Sequence, residues 1–101
     1  MEVVSIKSGR RFSRDAVQHS PLLTGDIGID LICFEAGQKG DENLLGTDTV
    51  YQVLEGELLI HCKDDSVRLG EGRLAKLPAK TAHRLENAGG GLLVVMAMRP
   101  R

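Results

Sequence analysis

The sequence predicts an all-β domain, a sandwich or small barrel, on three observations. Short apolar runs rich in β-branched residues recur along the chain, Gly, Asp and Asn clusters separate them, and helical periodicity is nearly absent. With 101 residues, 42% of them apolar, the chain is sized for one core that buries roughly 65% of the unfolded surface. Residues 1–101 are therefore expected to be a single domain, with N-terminal strands over 1–36 and the main barrel over 37–101.

The elements follow in order. Residues 3–6, Val-Val-Ser-Ile, have strand composition, and Ser13 is placed to cap one helical turn over 13–17. From Ser20-Pro21 to Gly25-Asp26 the chemistry is that of a loop, so the next strand is residues 27–34, ending at Glu35-Ala36-Gly37. Polar residues 38–43 lead to a strand over 49–54. Strict alternation puts Thr49, Tyr51 and Val53 on one of its faces and Val50, Gln52 and Leu54 on the other. Glu55-Gly56 bends the chain, residues 58–62 continue it, Lys63-Asp64-Asp65-Ser66 forms a charged hairpin turn and residues 67–69 return. After the Gly70-Glu71-Gly72 turn, residues 74–77 run into Pro78, residues 83–85 are a short strand, 87–91 a glycine-rich turn, and 92–98 close the sheet. The Arg99-Pro100-Arg101 tail reads as an exposed end.

Several function classes drop out on composition. Thirteen Lys and Arg against 14 Asp and Glu, interspersed, leave no basic footprint for nucleic acid. The longest apolar stretch near the C-terminus, residues 92–98, has strand length and falls far short of the roughly 20 residues that cross a bilayer. No basic flank or apolar leader opens the chain, so the cytoplasm is the expected compartment. Cys33 and Cys62 are read as free, buried thiols, since nothing in the composition calls for a disulfide. No nucleophile-elbow pattern surrounds any serine, and Gly89-Gly90-Gly91 precedes a strand and not the helix a phosphate loop would open.

The segment 72–87 carries Gly72, Pro78, His83 and Asn87 at the spacing GxxxxxPxGxxHxxxN, with Lys80 in place of the internal glycine. This closely resembles the second motif of the cupins. Upstream, Gly37 and the run Val53-Leu54-Glu55-Gly56-Glu57 resemble the two ends of the first cupin motif. Between those ends the motif's usual metal donors are missing. Its Glu position holds Thr49, and its two His positions hold Asn43 and Leu45 in one register or Glu42 and Leu44 in the other. The resemblance implies a double-stranded β-helix, or jelly-roll, barrel, commonly a homodimer. It does not fix a function, because one fold hosts many activities.

Candidate site residues follow from the motif and the strand faces. The resemblance puts His83 in the barrel cavity, and imidazole is the commonest protein metal ligand. Tyr51 and Thr49 share its wall as ligand-binding candidates, against the plainer reading of Tyr51 as a core aromatic bonded to a strand carbonyl. The lead expectation is a small-molecule-binding cupin without the usual metal. Its rival is an enzyme of dioxygenase or isomerase type, with Zn, Fe, Mn or Ni held by His83, Glu42 and a nearby Asp41 or Asn43. A third reading is a partner-binding domain whose barrel is filled by side chains. Adjacent His61 and Cys62 point to opposite faces and cannot chelate together, while His19 is expected to face solvent. The apolar run Val3, Val4, Ser5, Ile6 is the expected homodimer contact.

Overall fold

The computed structural model describes residues 1–100 and consists of eight strands and one short 3-10 helix, Ile6–Gly9. The strands are β1 (Gln18–Leu23), β2 (Ile27–Phe34), β3 (Thr49–Glu55), β4 (Leu58–Cys62), β5 (Asp65–Leu69), β6 (Leu74–Leu77), β7 (His83–Asn87) and β8 (Leu93–Pro100). They form two antiparallel sheets, one of five strands ordered β1-β2-β8-β3-β6 and one of three ordered β5-β4-β7. The all-β expectation holds, and the two sheets face each other as a jelly-roll barrel.

The barrel interior is built by alternation. Ile32 and Phe34 of β2, Tyr51 and Val53 of β3, Leu93, Val95 and Ala97 of β8, Leu58 and Ile60 of β4 and Leu85 of β7 meet in one buried cluster. A second, smaller cluster lies on the outer face of the five-stranded sheet, where Leu31, Cys33 and Val94 are covered by Phe12, Leu22 and Leu54. The chain after the 3-10 helix closes over this face so tightly that a Cβ on Gly9 would sit 2.7 Å from a Leu22 methyl. Here the Cys33 thiol reaches toward the Gly9 carbonyl at 3.9 Å, and burial pushes its pKa up.

The N-terminal third departs from expectation. Residues 3–6 form no strand, because no sheet edge is presented to them. Val3, Val4 and Ile6 remain 82%, 40% and 41% exposed. The turn over 13–17 is not helical, and the Ser13 hydroxyl instead accepts the Asp15 amide at 3.1 Å. The expected loop at 20–26 is largely β1, which pairs with β2 despite Pro21. An edge strand tolerates proline, since its missing N–H costs no inner ladder bond, and the register shifts between Pro21 and Leu23. Strand β5 starts at Asp65, inside the expected turn. At the C-terminus Arg99 and Pro100 belong to β8 and are not a free end, with Arg99 3.5 Å from Asp30; Arg101 lies outside the described residues.

Candidate functional site at the barrel mouth

Tyr51 stands on β3 between Ala97 of β8 and Ala75 of β6, its partners in register on either side. Two alanines leave room for a large ring, and the phenol crosses the interior to the opposite sheet. There its hydroxyl meets His83 Nε2 at 2.7 Å, with the rings edge to face at 64° and centroids 5.5 Å apart. Both residues are buried. The partner of Tyr51 is thus the histidine and not a strand carbonyl.

The other ring nitrogen decides the tautomer. His83 Nδ1 lies 2.8 Å from the Thr81 carbonyl, which only accepts, so Nδ1 carries the proton and Nε2 is the acceptor. The Tyr51 O–H therefore donates to His83. Desolvation raises the phenol's pKa to about 12, the nearby Arg99 charge only partly offsetting it, and this keeps the proton on the donor. Thr49, two residues back on the same face of β3, is 1% exposed, and its Oγ1 has no hydrogen-bond partner.

The segment before β3 completes the mouth. Asn43 pairs with His83 through both backbone groups, donating at 2.7 Å and accepting at 3.0 Å, and Lys39 bridges to Glu86. This ladder puts alternate residues on opposite sides. Asp41 and Asn43 line a cavity of about 90 Å³ with His19, Ile32 and Leu85. Glu42 lines another of about 170 Å³ with His61, Cys62, Lys63, Ala82, His83 and Arg84.

The proposed metal donors are therefore divided: Asn43, directly opposite His83, and Asp41 are on the interior side of the ladder, whereas Glu42 is on the other side with Arg84 and His61 and meets His83 only along the cavity of about 170 Å³. Among the described residues no three His, Cys, Asp or Glu side chains converge as a metal site would require. The lone pair of His83 Nε2 is also taken by Tyr51. As arranged, this donor set does not fit a resident transition metal.

Asn87 is a structural staple. Its amide donates to the Glu35 and Gly91 carbonyls at 3.0 and 2.8 Å and its Oδ1 accepts the Gly89 amide at 3.1 Å, which ties the glycine-rich turn to the end of β2. Lys80 takes up the left-handed conformation, φ 62°, that the missing motif glycine would adopt freely. Cys62, expected buried, is only partly so, although it packs against the interior cluster. His61 faces outward as its alternation requires, and His19 is exposed.

No family model matches the chain, and neither does any curated protein. Solved structures do. A protein of Thermus thermophilus superposes with a TM-score of 0.90 at 25% identity, covering 100% of this chain and 99% of that one. A cupin superfamily protein of Desulfitobacterium hafniense gives 0.82 at 24% identity, covering 94% and 86%. A cupin-2 domain containing protein of Shewanella frigidimarina gives 0.68 at 26% identity, covering 83% of each chain.

The chain has the double-stranded β-helix fold of the cupins. The chain keeps the second-motif positions His83 and Asn87 buried and carries buried Thr49 where the first motif has its Glu donor. Strand alternation and the motif resemblance put Thr49, Tyr51 and His83 on the interior but do not pair Tyr51 with His83. The Lys63 and Arg84 rim of the cavity is not legible in the sequence, because charged strand and hairpin residues read as solvated surface. No helix among the described residues is long and apolar enough to cross a membrane.

Proposed function

We propose that this cupin binds a small molecule at the mouth of its barrel, using His83 as a neutral, oriented wall group and not as a metal ligand. The observation that carries the reading is the engagement of both His83 ring nitrogens, by Thr81 and Tyr51. The cavity of about 170 Å³ beside it equals about six water volumes at liquid density, below the roughly 300 Å³ at which drug-sized pockets begin. Its ligand is correspondingly small. The rival metal-dependent enzyme using His83 and Glu42 would have to break the Tyr51 hydrogen bond and draw the loop inward.

Fragments of a few heavy atoms, screened by protein NMR, test this. Shifts confined to Lys63, Ala82, His83 and Arg84 are expected, with about 2.7 kcal/mol of added stability at a hundredfold excess over Kd. If no fragment moves these resonances at millimolar concentration, the small-molecule reading fails. The filled-barrel, partner-binding reading then stands, favoured by the twelve buried side chains of the interior cluster. We further propose that a second copy covers exposed Val3, Val4 and Ile6, making a homodimer. A light-scattering mass of one 11.0 kDa chain would refute that part.

A further inference from the structure

On the outer face of the three-stranded sheet, away from the barrel interior, β5, β4 and β7 set Ser66, His61 and Arg84 in one cross-strand row, with Ser66 and Arg84 each partnered in register with His61. Residues directly opposite share a face, so all three project outward together. The Ser66 hydroxyl lies 3.2 Å from His61 Nδ1, and His61 Nε2 lies 2.8 Å from Glu86 Oε1, which projects from β7.

The partners fix the direction of the relay. An ionised carboxylate only accepts, so the hydrogen bond to Glu86 puts the imidazole proton on Nε2. Nδ1 is then left as a base, and the Ser66 O–H donates to it. Nucleophile, base and orienting carboxylate are thus in the order that activates a serine. The hydrogen bond from His61 lowers the Glu86 pKa, which keeps this carboxylate ionised. Ser66 is exposed, and His61, the base, also lines the cavity of about 170 Å³ together with Lys63 and Arg84.

We propose that Ser66, His61 and Glu86 form an acyl-transfer site whose donors are activated esters. The Ser66 oxygen bonds to the carbonyl carbon and passes its proton to His61 Nδ1. The bond from that carbon to the leaving oxygen then breaks, its electron pair staying on that oxygen, which takes the proton from His61 Nδ1 as the alcohol leaves. Water, deprotonated by the regenerated imidazole, later attacks the acyl-serine and restores Ser66 with release of the acid. The Ser66 amide is already committed to Asp65 Oδ1 at 2.9 Å, so its own backbone offers no oxyanion hole. Without that donor the chemistry is restricted to esters with good leaving groups. The site overlaps the rim of the binding cavity, but it does not depend on any ligand reaching His83.

The test is p-nitrophenyl acetate, followed by nitrophenolate release and by peptide mapping of the acetylated residue. The expected result is acetyl-Ser66, formed about 100-fold more slowly or worse in His61→Gln, as loss of a general base implies. Glu86→Gln should give a smaller loss, because it releases the imidazole without removing it. All three groups are on an outer face, so the variants are expected to melt as wild type does, which melting curves check. Acetylation confined to Lys63, Cys62 or other amines and thiols, or an unchanged rate at Ser66 in His61→Gln, would overturn the proposal.

Discussion

Replacing Tyr51 by Phe removes one hydroxyl from the interior and leaves the His83 Nε2 lone pair, buried at 3% exposure, without a donor. An unsatisfied buried acceptor costs about 1–3 kcal/mol. The phenyl ring keeps its packing between Ala75 and Ala97, so no cavity adds to this. For a domain of this size, about 2 kcal/mol lowers the melting temperature by roughly 10 °C. The loss depends on pH. Burial raises the folded phenol from its ordinary 10.0 to about 12, so the fold binds this proton more tightly than the unfolded chain does. That contribution is complete below pH 10 and is lost between pH 10 and 12, at about 1.4 kcal/mol per pH unit. Urea unfolding of both proteins should therefore show the wild-type advantage at neutral pH and its disappearance toward pH 12. Tyr51 is the only tyrosine, with no tryptophan in the chain, so phenolate absorbance follows this one group. Phenolate forming near pH 10 in the folded protein, or a Tyr51→Phe variant as stable as wild type at neutral pH, would refute the reasoning.

Three further outcomes follow from backbone and burial. Thr49→Val replaces an orphaned hydroxyl by a methyl of similar volume and should stabilise the fold by about 1 kcal/mol in urea; a loss of stability would show that Oγ1 has a partner after all. Lys80→Gly relieves a left-handed residue at φ 62° and, after the entropy cost of glycine, should add about 0.5–1 kcal/mol, seen as a higher urea midpoint at unchanged slope; a lower midpoint would mean that the lysine is held there without strain. Gly56→Ala should cost about 2–4 kcal/mol, since φ is 88° and the new Cβ would lie 2.3 Å from the Leu92 carbonyl; near-neutral behaviour would mean that the turn can rebuild.

The sequence carries the barrel where local patterning and burial agree. Alternation over Thr49, Tyr51 and Val53 predicts three interior side chains, and all three are buried. The resemblance to the second cupin motif puts His83 in the interior, and His83 and Asn87 are both buried. Patterning fails where a segment's fate depends on a distant partner. Val3, Val4 and Ile6 have strand composition but meet no sheet edge, whereas residues 18–23, with a proline among them, pair because β2 offers one. The Tyr51–His83 bond joins residues 32 apart, and Ser66 and His61 meet only once the β4–β5 register is known. Alternation assigns faces, but it does not say which faces meet.

The most direct test of the site is the nitrogen NMR spectrum of the His83 ring, recorded without metal and after adding one equivalent of Zn²⁺. The expected spectrum is that of a neutral ring protonated at Nδ1, with Nε2 accepting from Tyr51, and both signals unchanged by zinc. A shift of Nε2 to a metal-bound position, with one zinc retained per chain after dialysis, would contradict it and restore the metalloenzyme reading.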